Sequence, residues 1–397
     1  MNMSIAMGKR TRTGTGMLLT ALLVLVSGCP AQTPEQTGND NQPLHEALGS
    51  LDATGYAQAT SPRTFRFPQD HGAHPDFRNE WWYFTGNVTT PAGRPFGFEL
   101  TLFRIALSPQ PVDSPSPWHG RQIYMGHLAL SDIAGGEFQH AERLSRTGPG
   151  LAGAEFKGDN NNALTVWLED WQIHYRPAGA GRAAHWQVQA MQEDFGIELE
   201  LAVVKPLVLQ GEQGLSQKGA EPGNASYYYA QTRLAARGAV RLADTELAVT
   251  GQAWMDREWS TSALGEAQIG WDWFALQLDS GAELMLYQLR QRGGRVDPHS
   301  EGSWVTPRGE RRRLQREDFS IEVLDHWDSP RGGRYPSRWR ITVAPLELAV
   351  TVTPRLADQE LDFGIRYWEG SVAIDGKRAG QPVAGLGYVE LTGYAES

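Results

Sequence analysis

The stretch HPDFRNEWWYFTGNV, residues 74–88, decides the fold. It joins an ionisable run, His74, Asp76, Arg78 and Glu80, to an aromatic one, Trp81, Trp82, Tyr83 and Phe84. Consecutive bulky aromatics suit a pleated surface, so the second run reads as a β-strand. The Pro- and Gly-bearing segment 89–95 then turns the chain, and Phe96, Phe98, Leu100 and Leu102 alternate along a second strand. The unit is a β-hairpin.

Beyond the hairpin, helical periodicity is almost absent. Short alternating runs are separated by Gly, Pro, Asn and Asp clusters, the pattern of an all-β chain. The hairpin itself recurs as WDWFALQL, residues 271–278, with ELMLY behind it at 283–287. Further matches follow in the same order: 169–173 with 317–321, 185–188 with 338–341, 197–206 with 345–354, and 251–256 with 385–390. Such collinearity implies two copies of one unit, expected over 61–260 and 266–397 with 260–268 as the connection. Each copy has room for about eight strands or slightly more, mostly joined by short turns, which suits a closed antiparallel barrel because closure removes exposed edges. A sandwich fits the same pattern. The barrel is preferred because each copy opens on a Trp-rich strand and ends on an aromatic strand beside Gly, as though first and last strands meet.

The N-terminal segment belongs to targeting. Lys9, Arg10 and Arg12 precede an apolar run at 17–26 that is short for a bilayer span, so residues 1–29 read as an export signal. Val26-Ser27-Gly28-Cys29 resembles a bacterial lipobox, which makes Cys29 the expected lipidated residue. It is the only cysteine, so an exported chain would hold no intrachain disulfide. The expected product is a lipoprotein anchored on the periplasmic side of the cell envelope, with 30–60 as a polar tether. The alternative is an ordinary cleaved signal with an incidental cysteine.

HPDFRNEWWYFTGN, GQAWMDREWS, WDWFALQLDSGAELMLYQLR, and YWEGSVAIDG with GYVELTGY together resemble secreted AttH-type proteins, which share their fold with carotenoid 1,2-hydratases (CrtC, hydroxyneurosporene synthase). The resemblance spans nearly the whole mature chain and implies two consecutive lipocalin-like antiparallel β-barrels. It leaves activity open, because the family includes hydratases, a component of an ABC export system and exported members named only as hydrolases.

The repeat suggests where function lies. Polar residues found in one copy alone lack a shared folding role, and the first copy has the surplus: Asp70, His71, His74, Asp76, Arg78 and Glu80 before its first strand, then Asp256, Arg257, Glu258 and Trp259 after Trp254. Antiparallel pairing of first and last strands would bring these clusters to one rim of the first barrel. Asp256, Glu80 and Glu258 are the candidate catalytic carboxyls, one of them raised in pKa by an apolar wall and poised as a proton donor. Trp81, Trp82, Tyr83, Trp254, Arg78, Arg257 and His74 are the candidate ligand contacts, the aromatics able to stabilise a developing cation. A plainer reading makes Arg78, Arg257, Glu80 and Asp256 an ion-pair network closing the barrel, with the tryptophans as core. Trp271, Trp273, Trp304, Trp327, Trp339 and Trp368 of the second copy read as core, and Arg311 to Arg313 as a solvated loop.

Other chemistries find less support. The spacing of His71 and His74 in a loop is weak evidence for a metal, and no metal or other cofactor is expected. No Gly-x-Ser-x-Gly elbow is present, which disfavours a serine hydrolase. A formal charge of −10 without a basic stripe makes nucleic acid an unexpected partner. Two functional classes remain: a tethered protein that binds a hydrophobic lipid or isoprenoid or serves an ABC transporter, and an enzyme that hydrates an isoprenoid C=C bond.

Overall fold

The computed structural model describes residues 53–110, 116, 118–157, 162–261, 264–265 and 267–395. Cys29, the signal segment and most of the expected tether lie outside them. Residues 53–60, expected to end the tether, instead pack on the body: Ala59 is fully buried, and the Tyr56 hydroxyl donates to the carbonyl of Ala106 at 3.0 Å.

Among the described residues the chain forms two antiparallel sheets, thirteen strands within 79–260 and ten within 268–391. Only three short 3-10 turns interrupt them, at Gln69–His71, Arg316–Asp318 and Ala344–Leu346. Each sheet curls into a barrel-like body by the same rule. The opening strand pairs on one side with its hairpin partner and on the other with the last strand of its copy: Asn79–Thr89 with Thr245–Ser260, and Gln268–Leu278 with Gln381–Leu391. The two edges of each sheet are then consecutive in sequence, Glu137–Arg146 with Ala152–Lys157 and Arg311–Leu314 with Phe319–Asp328. All the matched sequence blocks fall on topologically equivalent strands. The first copy adds the hairpin Ala152–Leu168, and beside its penultimate strand it has two short strands, Val208–Leu209 and Leu215–Gln217, where the second has one, Glu360–Asp362.

Both interiors are filled by side chains. Trp82, Trp171, Trp186 and Trp259 occupy the first, and Trp339 and Trp368 the second, all fully buried or nearly so. The opening strand is buried on both faces, because its outer face is covered by the second barrel. Close approach is required there: a Cβ on Gly97 would sit 2.7 Å from Cβ of Ser371, so only glycine lets the two bodies meet. Polar ties complete the contact, including Lys205 Nζ to Glu283 at 2.7 Å and the Gln277 amide to the Thr232 carbonyl at 2.8 Å.

The pleat divides the predicted rim residues between two environments. Glu80, Trp82 and Arg257 point into the first barrel. Glu80 is fully buried between the Arg104 and Arg257 guanidinia, and the Arg257 guanidinium lies 4.0 Å over the Trp82 ring. His74 joins the same network: its backbone N–H donates to Glu80 at 2.9 Å, and its ring stacks on Trp259 at 3.8 Å. Arg78 is buried at this end too, its carbonyl accepting from the Ala106 N–H at 2.7 Å. Burial alone would raise the Glu80 pKa, but Arg104 and Arg257, with the His74 bond, hold it well below the usual carboxylate range. A carboxylate kept ionised cannot donate a proton, so the assignment of Glu80 as a catalytic acid is corrected to an ion pair closing the barrel. Trp82, Arg78, Arg257 and His74 are likewise corrected from ligand contacts to parts of this plug.

Glu80→Gln should strand two buried guanidinia and cost roughly 3–5 kcal/mol, read as a lower urea midpoint at neutral pH. Because the folded pKa is depressed, this contribution is present above the unfolded pKa and is lost as pH falls toward the folded value, so the difference from wild type should shrink in acid.

Candidate active site between the barrels

On the other face of the same strands the register sets Tyr83 opposite Asp256, Trp81 opposite Glu258 and Thr85 opposite Trp254. These residues point away from the first barrel and toward the equivalent seam of the second, where Trp273 lies opposite Glu390 and Ala275 opposite Tyr388. The two seams enclose a cavity of about 90 Å³. Its walls combine Trp81, Tyr83, Tyr228, Asp256 and Glu258 of the first copy with Trp271, Trp273, Tyr287, Tyr367, Glu369 and Glu390 of the second. The site therefore belongs to neither barrel alone, a correction to its expected place at the rim of the first.

Asp256 is the best-defined acid. It is 4 % exposed, accepts from the Tyr228 hydroxyl at 2.6 Å and from the Trp254 indole N–H at 2.7 Å, and its pKa is pushed up to about 8. Burial is the main cause, and the negative charge of Glu258 adds to it; the two hydrogen bonds and Lys218 act in the opposite sense without overcoming it. Trp273 supports the arrangement by donating to the Tyr228 oxygen at 3.3 Å.

The second copy brings a further group of acids. Glu369 accepts from the Tyr83 hydroxyl, and Glu390 accepts from the Trp271 indole N–H at 3.0 Å. Burial raises both pKa values, and for Glu369 the charges of Glu99 and Glu390 add to the effect. Glu99, behind the cavity wall, is pushed up by the same desolvation. Lys218 faces this group, 3.4 Å from Glu258 and over the Tyr287 ring at 4.1 Å. The result is an aromatic chamber in which burial raises the pKa values of Asp256, Glu369 and Glu390, suited to supplying a proton where water is scarce.

The structure thus brings Asp256, Glu258, Trp81, Tyr83 and Trp254 together around this chamber, with Trp254 against Asp256. Sequence reasoning missed Glu369, Glu390, Lys218, Tyr228 and Tyr367, and it assigned Trp271 and Trp273 to core. A signal was present in three strands, where an aromatic residue and an acid stand two apart and so share a face: Trp254 with Asp256, Tyr367 with Glu369, and Tyr388 with Glu390.

The family model for AttH-like proteins matches residues 58–394. The chain belongs to the AttH-like family. Among solved structures it resembles an AttH protein from Nitrosomonas europaea, with 36% identity and a TM-score of 0.73 over 85% of this chain and 99% of that one. A kievitone hydratase from Nectria haematococca shares the fold at 14% identity and a TM-score of 0.61, covering 85% of this chain and 98% of that one. CghA in complex with Sch210972 does so at 12% identity and a TM-score of 0.55, covering 87% and 98%. No curated protein matches the chain.

Raised acids make the folded AttH-like protein bind protons more tightly than its unfolded chain. Their contribution is full below the unfolded carboxylate pKa and is lost as pH rises, for Asp256 until about pH 8. Asp256→Asn, which fixes the neutral form, should therefore melt higher than wild type at pH 8 and close to it at pH 5. Thermal melts at the two pH values check this.

Proposed function

We propose that the chamber between the barrels binds an apolar, unsaturated small molecule and adds water across one of its C=C bonds, with Asp256 as the proton donor. The observation that carries the reading is a buried carboxyl with a pKa near 8, facing an aromatic cavity. The shared fold with a protein named as a hydratase supports it. Asp256 gives its proton to one carbon of the double bond, and the electron-rich faces of Trp81, Trp271 and Trp273 stabilise the cation formed at the other. Water then adds to that carbon, and its surplus proton leaves to an acceptor on the cavity wall. Glu258, which lines the same cavity and pairs with Lys218, is the group that orients that water.

We further propose that this body is an exported lipoprotein held on the periplasmic side of the envelope by Cys29. Its substrate is then met at or near a membrane, which suits a lipid or isoprenoid. Cys29→Ala should move the protein from the membrane fraction to the soluble one; unchanged fractionation would refute the anchor.

Native mass spectrometry of the soluble body should show a retained apolar molecule or uptake of an added polyene such as retinol. Incubation in isotopically labelled water should yield a product heavier by one labelled water. Asp256→Asn should still bind but lose turnover by a factor of about 10²–10⁴, the usual worth of a general acid. Binding without any water addition in wild type would leave a carrier and exclude the hydratase.

A further inference from the structure

One polar chain crosses from the cavity to the surface without touching Asp256. His127, on the strand Gln122–Asp132 of the first barrel, is fully buried, and both its ring nitrogens are engaged. Nε2 lies 3.3 Å from Oε1 of Glu142, whose side chain reaches solvent; Nδ1 lies 2.7 Å from the hydroxyl of Tyr367, a cavity-wall residue of the second barrel. Phe103 and Phe363 flank the imidazole with ring centroids at 5.3 and 4.7 Å.

The partners fix the direction of the hydrogen bonds. A carboxylate at Glu142 can only accept, so Nε2 carries the proton and Nδ1 is the acceptor. Tyr367 therefore donates to His127, and its oxygen lone pairs stay available to accept. The other cavity tyrosines differ: Tyr83 and Tyr228 donate to the carboxyls Glu369 and Asp256, and Tyr287 shares a 3.0 Å bond with Ser216. A carboxyl, a histidine and a hydroxyl in this order form the arrangement that activates a hydroxyl oxygen elsewhere in enzymology.

We infer that Tyr367 is the proton acceptor of the cavity, with His127 as its base and Glu142 as the group that positions the imidazole. Burial keeps His127 neutral by lowering its pKa, against the pull of Glu142, so Nδ1 is free to take a proton. Burial and the surrounding carboxyls keep Tyr367 a phenol at rest, so its proton must leave in concert with reaction. Within the hydration reading, on which this role rests, the water oxygen bonds to the cationic carbon. A water proton passes to the Tyr367 oxygen as the phenolic proton moves to His127 Nδ1. The imidazolium is stabilised by Glu142, and as product leaves the Nδ1 proton returns through the Tyr367 oxygen and cavity water to the ionised Asp256, which restores both groups.

The activated oxygen can be tested without the substrate. Naphthalene sulfonyl fluoride is an apolar probe that fits an aromatic wall. The Tyr367 oxygen would bond to sulfur, fluoride would leave with the S–F electron pair, and the proton would go to His127. Peptide mapping should place the label on Tyr367 ahead of Tyr83, Tyr228 and Tyr287. His127→Gln should slow labelling by roughly a hundredfold. Glu142→Gln, whose partly exposed side chain makes misfolding a small concern, should slow it several-fold with an unchanged melting temperature. Even labelling of all four tyrosines, or a Tyr367 rate indifferent to both substitutions, would overturn the inference. Labelling does not require proton donation by Asp256, so a protein that labels as expected but hydrates nothing refutes the hydration reading alone.

Discussion

The antiparallel pairing of Asn79–Thr89 with Thr245–Ser260 is the constraint on which the rest depends. It closes the first barrel and sets Trp82 opposite Arg257, Tyr83 opposite Asp256 and Trp81 opposite Glu258. Because side chains alternate across a strand, a register fixed at one pair is fixed for both faces. One face receives Glu80 and the two arginines, the other Asp256 and Glu258. Two acids carried by one pair of strands thus come to opposite electrostatic fates: Glu80 is held ionised inside the barrel, while Asp256 is held protonated outside it.

The duplication then gives the second face its environment. A barrel exposing Trp81, Tyr83 and Trp254 would present an apolar patch to water, and the second copy covers it with its own seam. Covering removes solvent from Asp256 and Glu390 at once, and this desolvation raises their pKa values. The cost of burying acids is limited by neutrality and by the Tyr and Trp donors that each acid meets. Stability and reactivity therefore draw on the same packing: what raises the pKa values of Asp256, Glu369 and Glu390 also holds the two bodies together.

Much of this architecture was legible in the chain. Alternating runs, turn residues and the internal repeat gave two all-β units, and the aromatic first and last strands indicated the seam. The tryptophans with acids nearby marked the right pair of strands. Illegible was which face each residue takes relative to the second copy, so Glu80 and Asp256 were grouped although they never share an environment. The polar surplus of the first copy pointed to Asp256 and Glu258 but hid Glu369 and Glu390, since a site at a junction of two copies uses what both contribute. Lys218 and Tyr367 carried no local pattern strong enough to recruit them.

The sequence by itself determined the all-β class, the repeat and the meeting of first and last strands in each copy, because these follow from period-2 alternation and from turns that act over a few residues. It also set the inventory of acids and aromatics. Only the tertiary structure decided which carboxyls lose water, which meet arginine and which meet tyrosine. A carboxyl's pKa depends on the groups around it in space, and for Asp256 and Glu369 those include side chains more than a hundred residues away, or the closing of one barrel against the other.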